Sequence, residues 1–214
     1  NTFSADGNTL YNASIGTTAL PYSLNALKGN KQLTLFDTTT WEQKGSHAFD
    51  WGVRPSALTA DERYYYMQRS YQRGFVEYDL YDAQITRTAT LPGTAAGDAL
   101  FPDKLPSNSM HHGLAINGAE TKLCNAGTID NYVKIVARSN FAVTATVNNQ
   151  QKPYWAQTSH DGNKCLVSNS DGDFISVISY DTGLEVKRVA VGDFPQRERP
   201  GKLDSSVVLS SSKG

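Results

Sequence analysis

Between residues 151 and 192 the chain alternates short apolar-rich runs with turn signals four times over. The run Tyr154 to Thr158 ends at Asp161-Gly162, and Lys164 to Ser168 ends at Asp171-Gly172. Phe174 to Tyr180 ends at Asp181-Thr182-Gly183, and Leu184 to Val191 closes at Gly192. Asp-Gly between alternating runs is a hairpin signal, because two residues with positive φ match the twist of the flanking strands. Each cluster therefore predicts a tight antiparallel turn.

Four strands in about 42 residues is the size of one β-propeller blade. Three other stretches repeat the pattern. TFSADGNTLYNAS near the start matches TSHDGNKCLVSN, and KQLTLFDTTTWEQKGS matches FISVISYDTGLEVKRV. The predicted blades span about 2–48, 53–91, 111–147 and 152–192. Two segments break the spacing: GTTALPYSLNALKGN within the first repeat, and PGTAAGDALFPDKLPSNSM between the second and third. The second, rich in Gly, Pro and Ser, is expected to be a functional or mobile loop on one face. No stretch carries a helical period of useful length, and the Tyr, Phe, Thr, Val and Ser content favours strands and turns. The fold class expected is all-β, a propeller of four-stranded antiparallel blades.

The segment SNSDGDFISVISYDTGLEVKRVAVGDFPQ resembles the YVTN class of bacterial β-propeller repeats, through Val177, Ile178, Tyr180, Thr182, Gly183, Val191, Gly192 and Pro195. The likeness is strong over 151–195, fair over 111–147 and weaker before that. It implies a ring of seven or eight blades, usually secreted or periplasmic. Relatives of that class include lactonase-like proteins and propellers of haem- and quinone-linked oxidoreductases, so membership does not select a function.

Four visible repeats fall short of such a ring. The chain is read as the C-terminal part of a larger, cleaved propeller, in preference to two copies pairing into eight blades or a four-bladed ring closed by its own tail. The tail 193–214 begins like the inner strand of a further blade, and Asn1 looks like a processed or trimmed start. A companion chain or a second copy is the expected ring-completing partner, since an open ring exposes strand edges.

Cys124 and Cys165 are 41 residues apart, one less than the 42 that separate Ala119 from Asp161. In the repeat, Leu123 rather than Cys124 stands opposite Cys165. Successive strand residues point to opposite faces, so the two sulfurs should meet between adjacent blades. The predicted bridge places the protein outside a reducing cytosol, extracellular or periplasmic. The sequon Asn12-Ala13-Ser14 is too short to decide the host.

A net charge of −1 offers no basic face for nucleic acid, and no apolar run reaches the length of a membrane span. Candidate chemistry gathers where inner strands begin, at the channel mouth. There the repeats place Arg54-Pro55-Ser56, Met110-His111-His112, Pro153-Tyr154-Trp155 and Pro195-Gln196-Arg197. Unlike residues converging on one opening suggest a ligand site. Arg54 and Arg197, with Arg199 behind them, would fork onto a carboxylate or phosphate; Tyr154 and Trp155 would stack on a flat ligand, with Gln196 beside them. His111 and His112 are the candidate general base and the candidate ligands of a divalent metal, with Met110 a soft addition. Adjacent strand residues diverge, so one of the pair, His112, is expected in the channel.

Other features read as structure. His160-Asp161 lies in a hairpin turn, and Asn169 to Asp173 is turn chemistry without the closing Glu of a calcium loop. Tyr64-Tyr65-Tyr66 is expected to be strand with alternate rings in the core. No G-x-S-x-G, P-loop or G-x-G-x-x-G occurs. The function expected is binding of a small molecule or protein at the channel mouth. The alternative is a hydrolase or lyase with His112 as base, an arginine holding an anion, and a possible metal. A structural role in an envelope or coat is a third option.

Overall fold

A computed structural model describes residues 1–201 of the chain. It contains four separate four-stranded antiparallel sheets, each with its strands in chain order. Blade 1 comprises β1 (Thr2–Phe3), β2 (Thr9–Ala13), β3 (Gln32–Asp37) and β4 (Gln43–Ala48). Blade 2 comprises β5 (Val53–Leu58), β6 (Tyr64–Arg69), β7 (Phe75–Asp79) and β8 (Gln84–Ala89). Blade 3 comprises β9 (Leu114–Ile116), β10 (Lys122–Gly127), β11 (Tyr132–Ala137) and β12 (Val143–Val147). Blade 4 comprises β13 (Pro153–Thr158), β14 (Lys164–Asn169), β15 (Phe174–Ser179) and β16 (Glu185–Ala190). These are β-propeller blades, and they fall within the four repeats read from the sequence.

The inner strands pack in series, β1 beside β5, β5 beside β9 and β9 beside β13. Each blade interface has its own apolar core. Tyr11, Leu33, Tyr65 and Val76 fill the first, Tyr66, Phe75, Leu123 and Val136 the second, and Cys124, Ile135, Cys165 and Ile178 the third. The expectation for the tyrosine run needs correcting here. Tyr65 and Tyr66 are both fully buried, and Tyr64 packs at the edge of the second core. Both faces of an inner blade meet a neighbour, so alternation separates two cores rather than core from solvent.

The third turn of every blade repeats a device that the letters conceal. Trp41, Ala83, Phe141 and Gly183 all have positive φ, at 61°, 52°, 59° and 69°. Beside each turn the outer strand pair carries a register shift, at Leu35/Phe36, Glu77/Tyr78, Ile135/Val136 and Val177/Ile178. A left-handed residue followed by a bulge is a standard hairpin closure. Only blade 4 uses the residue that adopts this conformation freely.

Cys124 and Cys165 form the disulfide, with Cα atoms 6.4 Å apart, between blades 3 and 4. No helix among the described residues is long and apolar enough to cross a membrane. The tail 193–214 is described only as far as Gly201; the remainder of the predicted further strand lies outside the described residues.

Candidate functional site

The four inner strands border one half-open cavity of about 790 Å³, lined by residues of β1, β5, β9 and β13 with Arg197 and Arg199 from the tail. Its wall mixes apolar and polar residues; Ala57, Leu114, Ala115 and Ala156 border it, but their side chains belong to the cores between blades. Three guanidinium groups, those of Arg54, Arg197 and Arg199, line it, and no Asp or Glu does.

Arg54 opens β5 and is only 4% exposed. Its Nε donates to Ser70 Oγ at 3.0 Å, and its Nη2 donates to the Ser107 carbonyl. No carboxylate pairs with it among the described residues, and Nη1 has no protein partner there. Burial brings the group down to about 10, so it remains charged at neutral pH. Buried charges are usually paired, which makes this one unusual.

The two histidines go to different places. His111 is fully buried beneath the mouth. Gly74 N–H can only donate, so His111 Nδ1, 2.9 Å away, accepts and Nε2 carries the proton. That Nε2 faces Asp130 Oδ2 at 3.2 Å, and Asn125 Nδ2 also reaches Nδ1 at 3.0 Å. Burial lowers the imidazole below its ordinary value, outweighing the Asp130 carboxylate. Both nitrogens are occupied, Nδ1 in holding blade 2 to blade 3 and Nε2 in holding the turn at Asp130 within blade 3.

His112 lines the cavity. The Tyr154 carbonyl, 2.8 Å from Nδ1, can only accept, so Nδ1 carries the proton and Nε2 keeps its lone pair. Burial pushes the imidazole down to about 4; the Tyr154 carbonyl opposes this, and Arg54 and Arg197 add repulsion. Tyr154 stacks on the His112 ring at 4.2 Å and is not part of the cavity wall. Met110 is likewise turned inward, into an apolar cluster with Leu105 and Ile129. The histidine pair thus does not converge on one point, and a base or cation ligand in the channel would be His112 alone. Among the described residues no three His, Cys, Asp or Glu side chains come together.

Trp155 lines the cavity, and its buried indole Nε1 has no hydrogen-bond partner among the described residues. Arg197 and Arg199 lie over its ring at 5.5 and 4.7 Å, a cation–π arrangement. Gln196 contributes its backbone rather than its side chain. Its carbonyl accepts from Ser168 Oγ at 3.1 Å, and that of Pro195 accepts from Ser170 Oγ at 2.9 Å. Gln68 holds the position in β6 that Ser168 holds in β14, and it clasps Gly113 at the start of blade 3 through both N–H and C=O. The tail therefore docks on blade 4 as the entry to blade 3 docks on blade 2.

Several participants were not singled out from sequence. Ser70 and Ser107 fix Arg54, but the second does so through its backbone, which leaves no mark in the letters. Glu198 is another. Burial pushes its carboxyl up to about 8, against weaker pulls from Ser168 and Arg199, and neither oxygen has a well-formed hydrogen bond among the described residues. The two inserted segments meet over blade 2, where Tyr22, Trp51, Tyr71 and Phe101 cluster. The 92–110 segment is pinned: Arg73 bridges Asp98 and Asp130, and Thr94 N–H donates to Asp130 at 2.8 Å. The turns at Asp161 and Asp171 are held by local contacts. Asp161 caps its hairpin through Asn163 N–H, and Asp171 pairs with Lys152.

No family model matches the chain, and no curated protein matches it. Among solved structures it is similar to hydrazine synthase of Kuenenia stuttgartiensis, with a TM-score of 0.63 and 16% identity. The match covers 87% of this chain and 47% of that one, so this chain spans about half the length of its structural neighbour. Likeness at that identity concerns the fold alone, and 1138 solved chains share it, which marks a widespread architecture. What the chain has in common with them is the β-propeller fold.

Proposed function

We propose that this propeller binds a small ligand, or a protruding group of a protein partner, at the mouth of its channel. The supporting observation is the convergence of unlike polar groups on one cavity: Arg54 from blade 2, His112 from the entry to blade 3, Trp155 from blade 4 and Arg197 from the tail. The first two each have a polar atom without a partner among the described residues, Nη1 of Arg54 and Nε2 of His112. Polar atoms left free in an otherwise satisfied wall are what a ligand would complete.

In this reading the four blades belong to a ring of seven or eight, of the YVTN type, completed by further chain, a companion chain or a second copy. The outward faces at both ends of the arc support it. On blade 4, Cys165 and Val167 point into the core with blade 3, so Leu166, paired across the sheet with Val177, points away. On blade 1, Phe3 and Phe36 flank Leu10 on the face away from Tyr11. Extracellular or periplasmic residence agrees with the disulfide.

A second reading, a hydrolase or lyase, is favoured by one observation: a neutral imidazole with a free lone pair beside a buried guanidinium. Replacing His112 by Ala separates the two. An enzyme using that base loses roughly a hundredfold or more in turnover, whereas a binding protein loses affinity at most. Native mass spectrometry on protein purified without chelator tests the rest. A mass above the 23.4 kDa of the chain reports the completing partner or a retained ligand; a bare monomer counts against both.

A further inference from the structure

The charge of the channel defines its ligand more narrowly. We infer that the molecule bound there is an organic anion, its charged head at Arg54 and its apolar body along the inner strands. This rests on channel binding as proposed above.

Arg54 is enclosed and has no acidic neighbour to neutralise it, while Ser70 and Ser107 hold its fork so that one edge remains unused. A guanidinium kept in low dielectric without a counter-charge is costly, and an anion entering from the channel removes that cost. Arg197 and Arg199 add positive charge on the same wall. Glu198, on the same tail, is outside the cavity wall, and burial raises its carboxyl to about 8. His112 stays neutral and offers a lone pair, which suits the proton of a hydroxyl or an acid group on the ligand. Away from Arg54 the partly exposed side chains of Ile15 and Leu58 and the exposed ring of Phe3 also line the cavity and give a hydrocarbon body its apolar contacts.

The test uses the whole chain, labelled for NMR, with benzoate, phenyl phosphate and benzamide as probes. The resonances followed are Arg54 Nε–H and Trp155 Nε1–H. Benzoate or phenyl phosphate should shift both and saturate, and added salt should weaken them. Benzamide should bind at least about tenfold more weakly. A preference between the two anions tells a carboxylate ligand from a phosphate ester. Arg54→Gln should abolish the discrimination. Should that variant unfold, Arg197→Gln on the exposed tail should still weaken the anions severalfold and leave benzamide unchanged. If benzamide binds as well as benzoate, the anion inference is overturned while channel binding stands. If none of the three probes moves either resonance, both fail.

Discussion

His112 Nδ1 lies 2.8 Å from the carbonyl oxygen of Tyr154, across the junction of blades 3 and 4. One hydrogen bond thus fixes the tautomer of a cavity residue and ties together two inner strands. Folding depresses the imidazole to about 4, mainly by burial. The unfolded chain binds this proton from about pH 6.5 downward, so stability is lost as pH falls from there towards 4. The loss from this group should reach about 3 kcal/mol. Denaturant titrations at several pH values should show it, and His112→Gln, which keeps a donor for Tyr154, should flatten that part of the curve.

Glu198 carries the opposite sign. Its folded value is raised to about 8, so the docked tail is favoured at low pH and weakened as pH rises from the ordinary carboxylate range through 8. The Trp155 indole resonance, under Arg197 and Arg199, should therefore move towards that of a free ring on going alkaline. Glu198→Gln should hold it in place across the whole range. A wild-type resonance indifferent to pH contradicts the assignment.

The Cys124–Cys165 bridge closes a loop with a sequence separation of 41. The chain-entropy relation gives about 4 kcal/mol for a loop of that length. Reduction, or replacement of both cysteines by Ala, should lower the unfolding free energy by roughly 2–5 kcal/mol. A denaturation midpoint unchanged by reductant would show that the interface holds without it.

Asp130 joins His111, Arg73 and the Thr94 amide. Burial alone would raise its carboxyl, but those hydrogen bonds hold it well below the usual range. Asp130→Ala leaves Arg73 and the buried His111 without their shared acceptor, and should cost roughly 3–5 kcal/mol. It should also free the 92–110 segment, making the peptide after Lys104 a new site of limited tryptic cleavage. Cleavage no faster than in the wild type would mean that the segment is held by other contacts.

Ala83 sits at φ 52° in an exposed turn. A left-handed conformation costs an L-residue about 1–2 kcal/mol, and glycine escapes that at the expense of extra unfolded-state entropy. Ala83→Gly should therefore stabilise the protein by roughly 0.5 kcal/mol or more, read as a raised midpoint of unfolding. Destabilisation would show that the methyl group packs better than its exposure suggests.

What the letters disclosed depends on whether a side chain or a backbone carries the interaction. The hairpins at Asp161-Gly162 and Asp181-Thr182-Gly183 were legible because turn chemistry resides in side chains and glycines. The disulfide was legible because a one-residue offset between Cys124 and Cys165 flips one of them to the opposite face. The equivalent turns at Trp41, Ala83 and Phe141 were not, since their positive φ is imposed by the sheet on residues with no preference for it. The place of Arg54 near the start of an inner strand followed from the repeat. Its support by the Ser107 carbonyl did not, because any residue supplies a carbonyl. The inward turn of His111 depended on Gly74 N–H and Asp130, one from another blade and the other from a turn that no short motif connects to it.

The bridge between blades 3 and 4 also makes the arc unequal along its length. Blades touch only their neighbours, so their stability behaves as a chain of unit terms and junction terms. Two of the three junctions rest on packing and hydrogen bonds, while the third cannot separate at all while the sulfurs remain joined. Blades 3 and 4 should open as one cooperative unit, after the two unbridged junctions. Amide exchange would then be slowest in the bridged pair, giving a molecule whose junctions differ in strength although its sheets are built to one plan.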